Sequence, residues 1–171
     1  VNDYDRFAEA YAAENENSLV NAYYERPAML ALAGDVTGRR VLDAGCGSGP
    51  LSAALRDRGA VVTGIDVGAG MPAPARRRLG DDVALHVADV SERLPFTDGS
   101  FDDVVASLLL HHLADGGPAL GELRRVLRPG GRLIASVEHP FVASTFQEPG
   151  PTPSRRPATP SPGRSADSRH R

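Results

Sequence analysis

The sequence predicts an α/β fold, a parallel sheet with helices on both faces. Three observations carry this. Strand-like and helix-like segments alternate through residues 39–140, the pattern of a parallel sheet whose crossovers are helical. Strand interiors such as Val61-Val62 and Val104-Val105-Ala106 are apolar at consecutive positions, as strands covered on both sides require. The first strand runs through a glycine-rich turn straight into a helix.

Residues 1–38 read as an N-terminal helical cap. Tyr4, Phe7, Ala8, Tyr11 and Ala12 recur at three- and four-residue spacing and form one apolar stripe. A second helix is predicted over roughly 19–33, bent at Pro27 and stopped by Gly34.

Residues 39–142 form the predicted core. Strands are expected over 40–44, 60–66, 83–88, 101–107 and 132–137, and helices over 50–58, 71–79 and 118–127. Pro72 and Pro74 weaken the middle helix. The last helix carries Leu120, Leu123, Val126 and Leu127 on one face, and Arg128-Pro129-Gly130-Gly131 stops it. With strand order 3-2-1-4-5, the link Asp89–Ser100 crosses three strand spacings, or ~14 Å. Its 12 residues reach up to ~40 Å, so the order is feasible.

Residues 143–171 differ in kind. Positions 149–171 hold six prolines and, as apolar residues, only two alanines, too little surface to offset ordering entropy, so a disordered tail is expected. The tail carries five arginines against two acids, and the preceding residues 14 arginines against 20 acids. An acidic body without an aromatic-basic stripe argues against nucleic acid as a partner.

Composition excludes further classes. All 19 basic residues are arginine. Without lysine there is no P-loop lysine, no pyridoxal Schiff base and no Tyr-x-x-x-Lys pair. One cysteine, Cys46, excludes a disulfide framework and a cysteine-built zinc site, and no metal is expected. No apolar run approaches the ~18–20 residues that span a bilayer. The first residues carry no basic-then-apolar signal, so a cytoplasmic location is expected.

The chemistry sits in Val41-Leu42-Asp43-Ala44-Gly45-Cys46-Gly47-Ser48-Gly49-Pro50. A glycine turn between strand and helix lets a ligand approach bare backbone. A dinucleotide fingerprint, Gly-x-Gly-x-x-Gly, needs glycine at 50, where this chain has proline. The spacing is instead Gly-x-Gly-x-Gly, with an acid two residues before the first glycine.

That stretch resembles motif I of the class I S-adenosylmethionine-dependent methyltransferases, in particular the small-molecule type 11 group. The resemblance spans about residues 4–142. It includes Gly64-Ile65-Asp66, Val87-Ala88-Asp89, Leu94-Pro95-Phe96, Phe101-Asp102-Asp103-Val104-Val105, Leu110-His111-His112-Leu113 and the run from Leu123 to Leu133. It implies a Rossmann-like sheet and S-adenosylmethionine as cofactor. The C-terminal antiparallel hairpin that the resemblance implies is expected to be missing. The fifth strand would then be an open edge through which copies of the chain self-associate.

The resemblance also implies roles. Asp66 would accept the ribose hydroxyls, Asp89 the adenine amino group, and Val90 would offer its backbone N–H beside it. Gly45, Cys46 and Gly47 would line the methionine portion, and Asp43 would fix the turn and help hold the ammonium. Val67 and Met71 would pack on the adenine, Tyr11 would cover the cofactor, and Ser107 and Leu108 would face the sulfonium. His111, after the fourth strand, is the candidate base, since its pKa suits proton transfer near neutrality. Arg26 is a weaker candidate for meeting a carboxylate. Cys46 lacks a basic neighbour in sequence and reads as a packing residue rather than a nucleophile.

The expected function is methyl transfer to a small-molecule acceptor. A catalytically idle cofactor-binding remnant and a nicotinamide oxidoreductase are the competing readings. Pro50 and the missing lysine oppose the last.

Overall fold

Strand β1 (Arg40–Ala44) lies at the centre of the sheet, paired in parallel with β2 (Val61–Asp66) on one side and β4 (Phe101–Ala106) on the other. The computed structural model describes residues 21–70 and 72–138. Strand β3 (Ala84–Val87) flanks β2 and β5 (Leu127–Ala135) flanks β4, so the order is β3-β2-β1-β4-β5, as predicted. The order reverses at β1. The crevice between the carboxyl ends of β1 and β4 is therefore the switch point where ligands of open α/β sheets bind.

Alternation along the strands sends side chains to two separate cores. Val41, Val62, Val105 and Ile134 pack with helices α1 (Arg26–Ala33), α2 (Pro50–Arg56) and α3 (Pro72–Leu79). Leu42, Ala44, Ile65, Phe101, Val104 and Ala106 pack with α4 (Gly116–Val126) and with Val90 and Leu94 of the long link. That link contains no helix, yet it covers the sheet because Phe96 stacks edge-on against both Phe101 and His86.

Several boundaries differ from expectation for local reasons. Helix α4 starts at Gly116 because the Asp115 side chain caps it, accepting from Gly117 N at 2.9 Å. Its buried stripe is Ala119, Leu123 and Val126, while Leu120 is 45% exposed. Leu127 belongs to β5, which begins earlier than the sequence suggests. It pairs with Phe101, Arg132 pairs with Asp103, and Arg128-Pro129-Gly130-Gly131 bulges between them. In α3 the prolines occupy the first turn, where no backbone N–H is needed. The chain before α1 forms a π-helical turn, Asn21–Glu25. Pro27 supplies no N–H, so the bond that would close an α-turn onto Tyr23 is missing and the wider turn forms.

Beneath the sheet centre, Asp103 is 1% exposed and receives Arg39 and Arg132. Burial would raise its pKa, but the two guanidinium groups outweigh this and hold it at about 2.

Tyr11 and Met71, the disordered-tail expectation and most of the predicted N-terminal cap lie outside the described residues. Among the described residues β5 ends the sheet, with Leu133 partly exposed. No described helix is long and apolar enough to cross a membrane.

Candidate functional site

The chain leaves β1 through Gly45, Gly47 and Gly49, with φ of +74°, +53° and +80°. Side-chain-bearing residues rarely adopt these angles. Both Gly45 N and Cys46 N donate to Ile65 O at 2.9 Å, which stitches the turn to the end of β2. Space is as restrictive as torsion. A Cβ on Gly45 would lie 3.0 Å from Leu109 Cδ1, and one on Gly49 only 2.7 Å from Leu79 Cδ1.

Asp66 ends β2 and reaches the same turn. One carboxylate oxygen accepts from Gly47 N at 2.9 Å and the other from Gly68 N at 2.8 Å. The side chain remains partly exposed, so further lone pairs face solvent. Asp89 follows β3, and its Oδ1 accepts from Ser91 N at 2.8 Å in a local turn. Val90 turns its side chain into the core, and Val67 stands exposed beside Asp66.

Behind the turn, Asp43 is 1% exposed and accepts from Ser52 Oγ at 2.6 Å. Burial pushes its pKa up to about 6; the Ser52 bond opposes this, and the negative charges of Asp66 and Glu25 add to it. Burial, with Asp43 and Asp66 nearby, likewise pushes the Cys46 thiol up. Cys46 Sγ lies 2.9 Å from where a Gly64 Cβ would sit, so this side chain fills space that a glycine leaves open. It is a packing residue at the site, not a thiolate.

Across the crevice, Ser107 Oγ donates to Glu25 Oε1 at 2.7 Å, and Ser136 Oγ donates to the same oxygen at 2.6 Å. Leu108 N donates to Ser136 Oγ at 3.0 Å, and Leu108 is the one described non-glycine residue with positive φ, +49°. Sequence reasoning missed Glu25 and weighed its neighbour Arg26 instead. The available signal was an acid two residues before Pro27, ahead of the apolar helical stretch 28–33.

His111 lies on a 3₁₀ turn, Leu110–His112, directly after β4. Its Nδ1 accepts a long 3.4 Å bond from Glu138 N, and its ring centroid is 4.0 Å from that of His112. Burial and then the His112 charge lower its pKa, against the opposing pull of Glu138.

The turn glycines and Asp66 are thus joined by hydrogen bonds, and Leu109 brings the Ser107-Leu108 segment against Gly45. Asp89 sits one strand further out. Glu25, Asp43 and Asp66 form no ion pair among the described residues. Asp43 and Asp66, with no cation paired to them among the described residues, suit a ligand bearing positive charge and hydroxyl donors, and they disfavour a phosphate. S-adenosylmethionine, with a sulfonium, an ammonium and a ribose diol, fits this set of acceptors. Among the described residues no group of three or more His, Cys, Asp or Glu side chains is arranged to hold a metal ion.

Comparison with known proteins agrees. The methyltransferase domain family matches residues 42–135, more than half of the chain. A demethylmenaquinone methyltransferase of Beutenbergia cavernae is 43% identical over 111 residues, covering 65% of this chain and 45% of that protein. A malonyl-[acyl-carrier protein] O-methyltransferase of Serratia marcescens is 37% identical over 122 residues, covering 71% of this chain and 46% of that one. The chain therefore spans about half the length of the curated relatives it matches. The crystal structure of an S-adenosylmethionine-dependent methyltransferase from Mesorhizobium loti superposes with a TM-score of 0.66 at 33% identity, over 71% of this chain and 57% of that one. Glycine turn, strand order and family match together make this chain a member of the class I S-adenosylmethionine-dependent methyltransferase family.

Proposed function

We propose that this protein transfers a methyl group from S-adenosylmethionine to a small-molecule acceptor. The observation that carries the reading is the Asp66 carboxylate bonded to Gly47 N, which joins the end of β2 to the glycine turn after β1. The acceptor in the name of several relatives, a demethylmenaquinone, supports a small molecule rather than a nucleic acid.

When bound, S-adenosylmethionine supplies a methyl group activated by a positively charged sulfur. Everything else falls to the chain. Asp66 takes the ribose hydroxyls on its remaining lone pairs, and Asp89 the adenine amino group with Val90 N–H beside it. Val67 and Met71 flank the adenine. Gly45, Cys46 and Gly47 present backbone to the methionine portion, with Asp43 fixing the turn and adding negative potential for the ammonium. Ser107 and Leu108 border the sulfonium end, and Tyr11 belongs to the covering segment. In-line displacement from a good leaving group needs alignment and exclusion of water above all.

His111 is the base in this reading. Its lowered pKa keeps it neutral near pH 7, and with Nδ1 accepting from Glu138 N the lone pair is at Nδ1. Proton uptake from an acceptor therefore requires the long Glu138 contact to yield.

Calorimetric titration with S-adenosylmethionine and with S-adenosylhomocysteine tests the proposal, followed by a search for methylated products over a panel of quinols, thioester acids and amines. Binding of neither compound by the folded chain sinks it. For His111, the expected result is that His111→Ala keeps cofactor affinity and loses turnover. Unchanged turnover removes the base role.

A further inference from the structure

Glu25 is the least expected charged group in the molecule. It is only 9% exposed, it comes from the π-helical turn before α1, and it lies 82 residues in sequence from Ser107 and 111 from Ser136. It forms no ion pair among the described residues, and a buried carboxylate in that position costs several kcal/mol unless hydrogen bonds satisfy it. Here one oxygen, Oε1, collects both serine hydroxyls, at 2.7 and 2.6 Å.

The two serines directly follow β4 and β5, just past the paired residues Ala106 and Ala135. Ser136 passes the constraint on: its Oγ and its carbonyl oxygen both accept from Leu108 N, at 3.0 and 3.2 Å. Leu108 holds a φ of +49°, a conformation that costs a branched residue about 1 kcal/mol or more and persists only when its surroundings impose it. The next residue, Leu109, is thereby laid against the bare Gly45, within 3.0 Å of a Cβ position there. One carboxylate from the N-terminal segment thus governs the wall that faces the glycine turn.

We propose that Glu25 is a positioning residue for the methyl donor: by gripping the Ser107 and Ser136 hydroxyls it holds the strained Leu108 turn, and through Leu109 the width of the crevice beside Gly45. The assignment rests on the cofactor reading above. Glu25 acts through the serines and not through its charge on the ligand. Pro27 has a part in it, because the wide turn it permits sets Glu25 on the sheet side of the helix.

The test uses the 171-residue chain and two probes, S-adenosylmethionine and S-adenosylhomocysteine, which differ by the methyl group and the charge on sulfur. Glu25→Ala is expected to weaken both by about tenfold or more, and equally. Glu25→Gln keeps an Oε1 acceptor for both hydroxyls, so it is expected to restore both affinities to within about threefold. Hydrogen exchange at the Leu108 amide should quicken in Glu25→Ala and return to the wild-type rate in Glu25→Gln. Ser107→Ala/Ser136→Ala should match Glu25→Ala, with no added loss when all three changes are combined.

A wild-type chain that binds neither probe overturns the cofactor reading, and the positioning role with it. A wild type that binds both, with Glu25→Ala binding equally well, overturns the positioning role alone. So does a Glu25→Gln variant that loses the cationic probe while keeping the neutral one, because the charge would then act directly. Should Glu25→Ala fail to fold, Glu25→Gln and the serine pair still decide the matter.

Discussion

Gly47 N–H donates to Asp66 Oδ2 at 2.9 Å, tying the turn after β1 to the tip of β2 across 19 residues of sequence. The same carboxylate satisfies Gly68 N at 2.8 Å. One side chain therefore shapes the turn and offers its free lone pairs to a ligand.

Removing it should damage both properties. Asp66→Ala is expected to abolish measurable S-adenosylmethionine binding in calorimetry and to cost about 1–3 kcal/mol in urea unfolding, the penalty of unmet backbone donors. Asp66→Asn retains one acceptor and should fall between.

The turn should also separate torsional strain from steric conflict. Gly49 and Gly80 both have positive φ, +80° and +66°, but only Gly49 has a side chain in the way, with Leu79 Cδ1 2.7 Å from its Cβ position. Gly80→Ala should cost about 1 kcal/mol from strain alone. Gly49→Ala should cost about 1–3 kcal/mol more, because buried Leu79 must shift. Equal midpoints in chemical denaturation would contradict this.

Asp43 sets a pH dependence of unusual sign for a carboxylate. Its folded pKa near 6 lies above the ordinary value of 3.8, so the folded state binds the proton more tightly than the unfolded chain does. The stabilisation this gives is complete below about pH 4 and is lost as pH rises through about 6. It amounts to about 3 kcal/mol for a two-unit difference. Asp43→Asn should remove this slope between pH 4 and 6 and exceed the wild type in stability at pH 7. The same variant should bind S-adenosylmethionine more weakly at pH 7, since it lacks the negative charge behind the turn. Melting curves across the pH range check the first expectation and calorimetry the second.

Asp103 titrates in the opposite sense. Its folded pKa of about 2 is depressed, so its contribution is present above about pH 4 and lost as pH falls through 2. Asp103→Ala leaves Arg39 and Arg132 facing each other and should cost about 3–5 kcal/mol at pH 7, measured by urea unfolding. Ligand affinity per folded molecule should be little changed, because the triad is not among the residues that line the crevice.

Much of the architecture was legible in advance because its signals are local. Consecutive apolar residues at Val61-Val62 and Val104-Val105 marked doubly covered strands, and Gly45-Cys46-Gly47-Ser48-Gly49 with Asp43 two residues ahead marked the ligand turn. Errors fell where a local signal was overruled from a distance. Locally, Arg128-Pro129-Gly130-Gly131 predicts a gap between helix and strand, but pairing of Leu127 with Phe101 extends β5 backwards and turns the motif into a bulge. Spacing alone puts Leu120 on the buried face of its helix with Leu123 and Val126, but Ala119 takes that place in the packed stripe and Leu120 faces outward.

Taken alone, the sequence determined the alternation of strands and helices, the glycine turn and the acids at the strand ends, because residue type and short spacing dictate those, while the strand order came with the family resemblance. Only the tertiary structure decided that Glu25 meets Ser107 and Ser136. It also decided that Asp43 is buried enough to hold its proton near pH 6, and that Cys46 fills the space beside Gly64. Each of these depends on residues distant in the chain meeting out of contact with water, and a hydrogen bond or a desolvation cost exists only once the fold has brought its partners together.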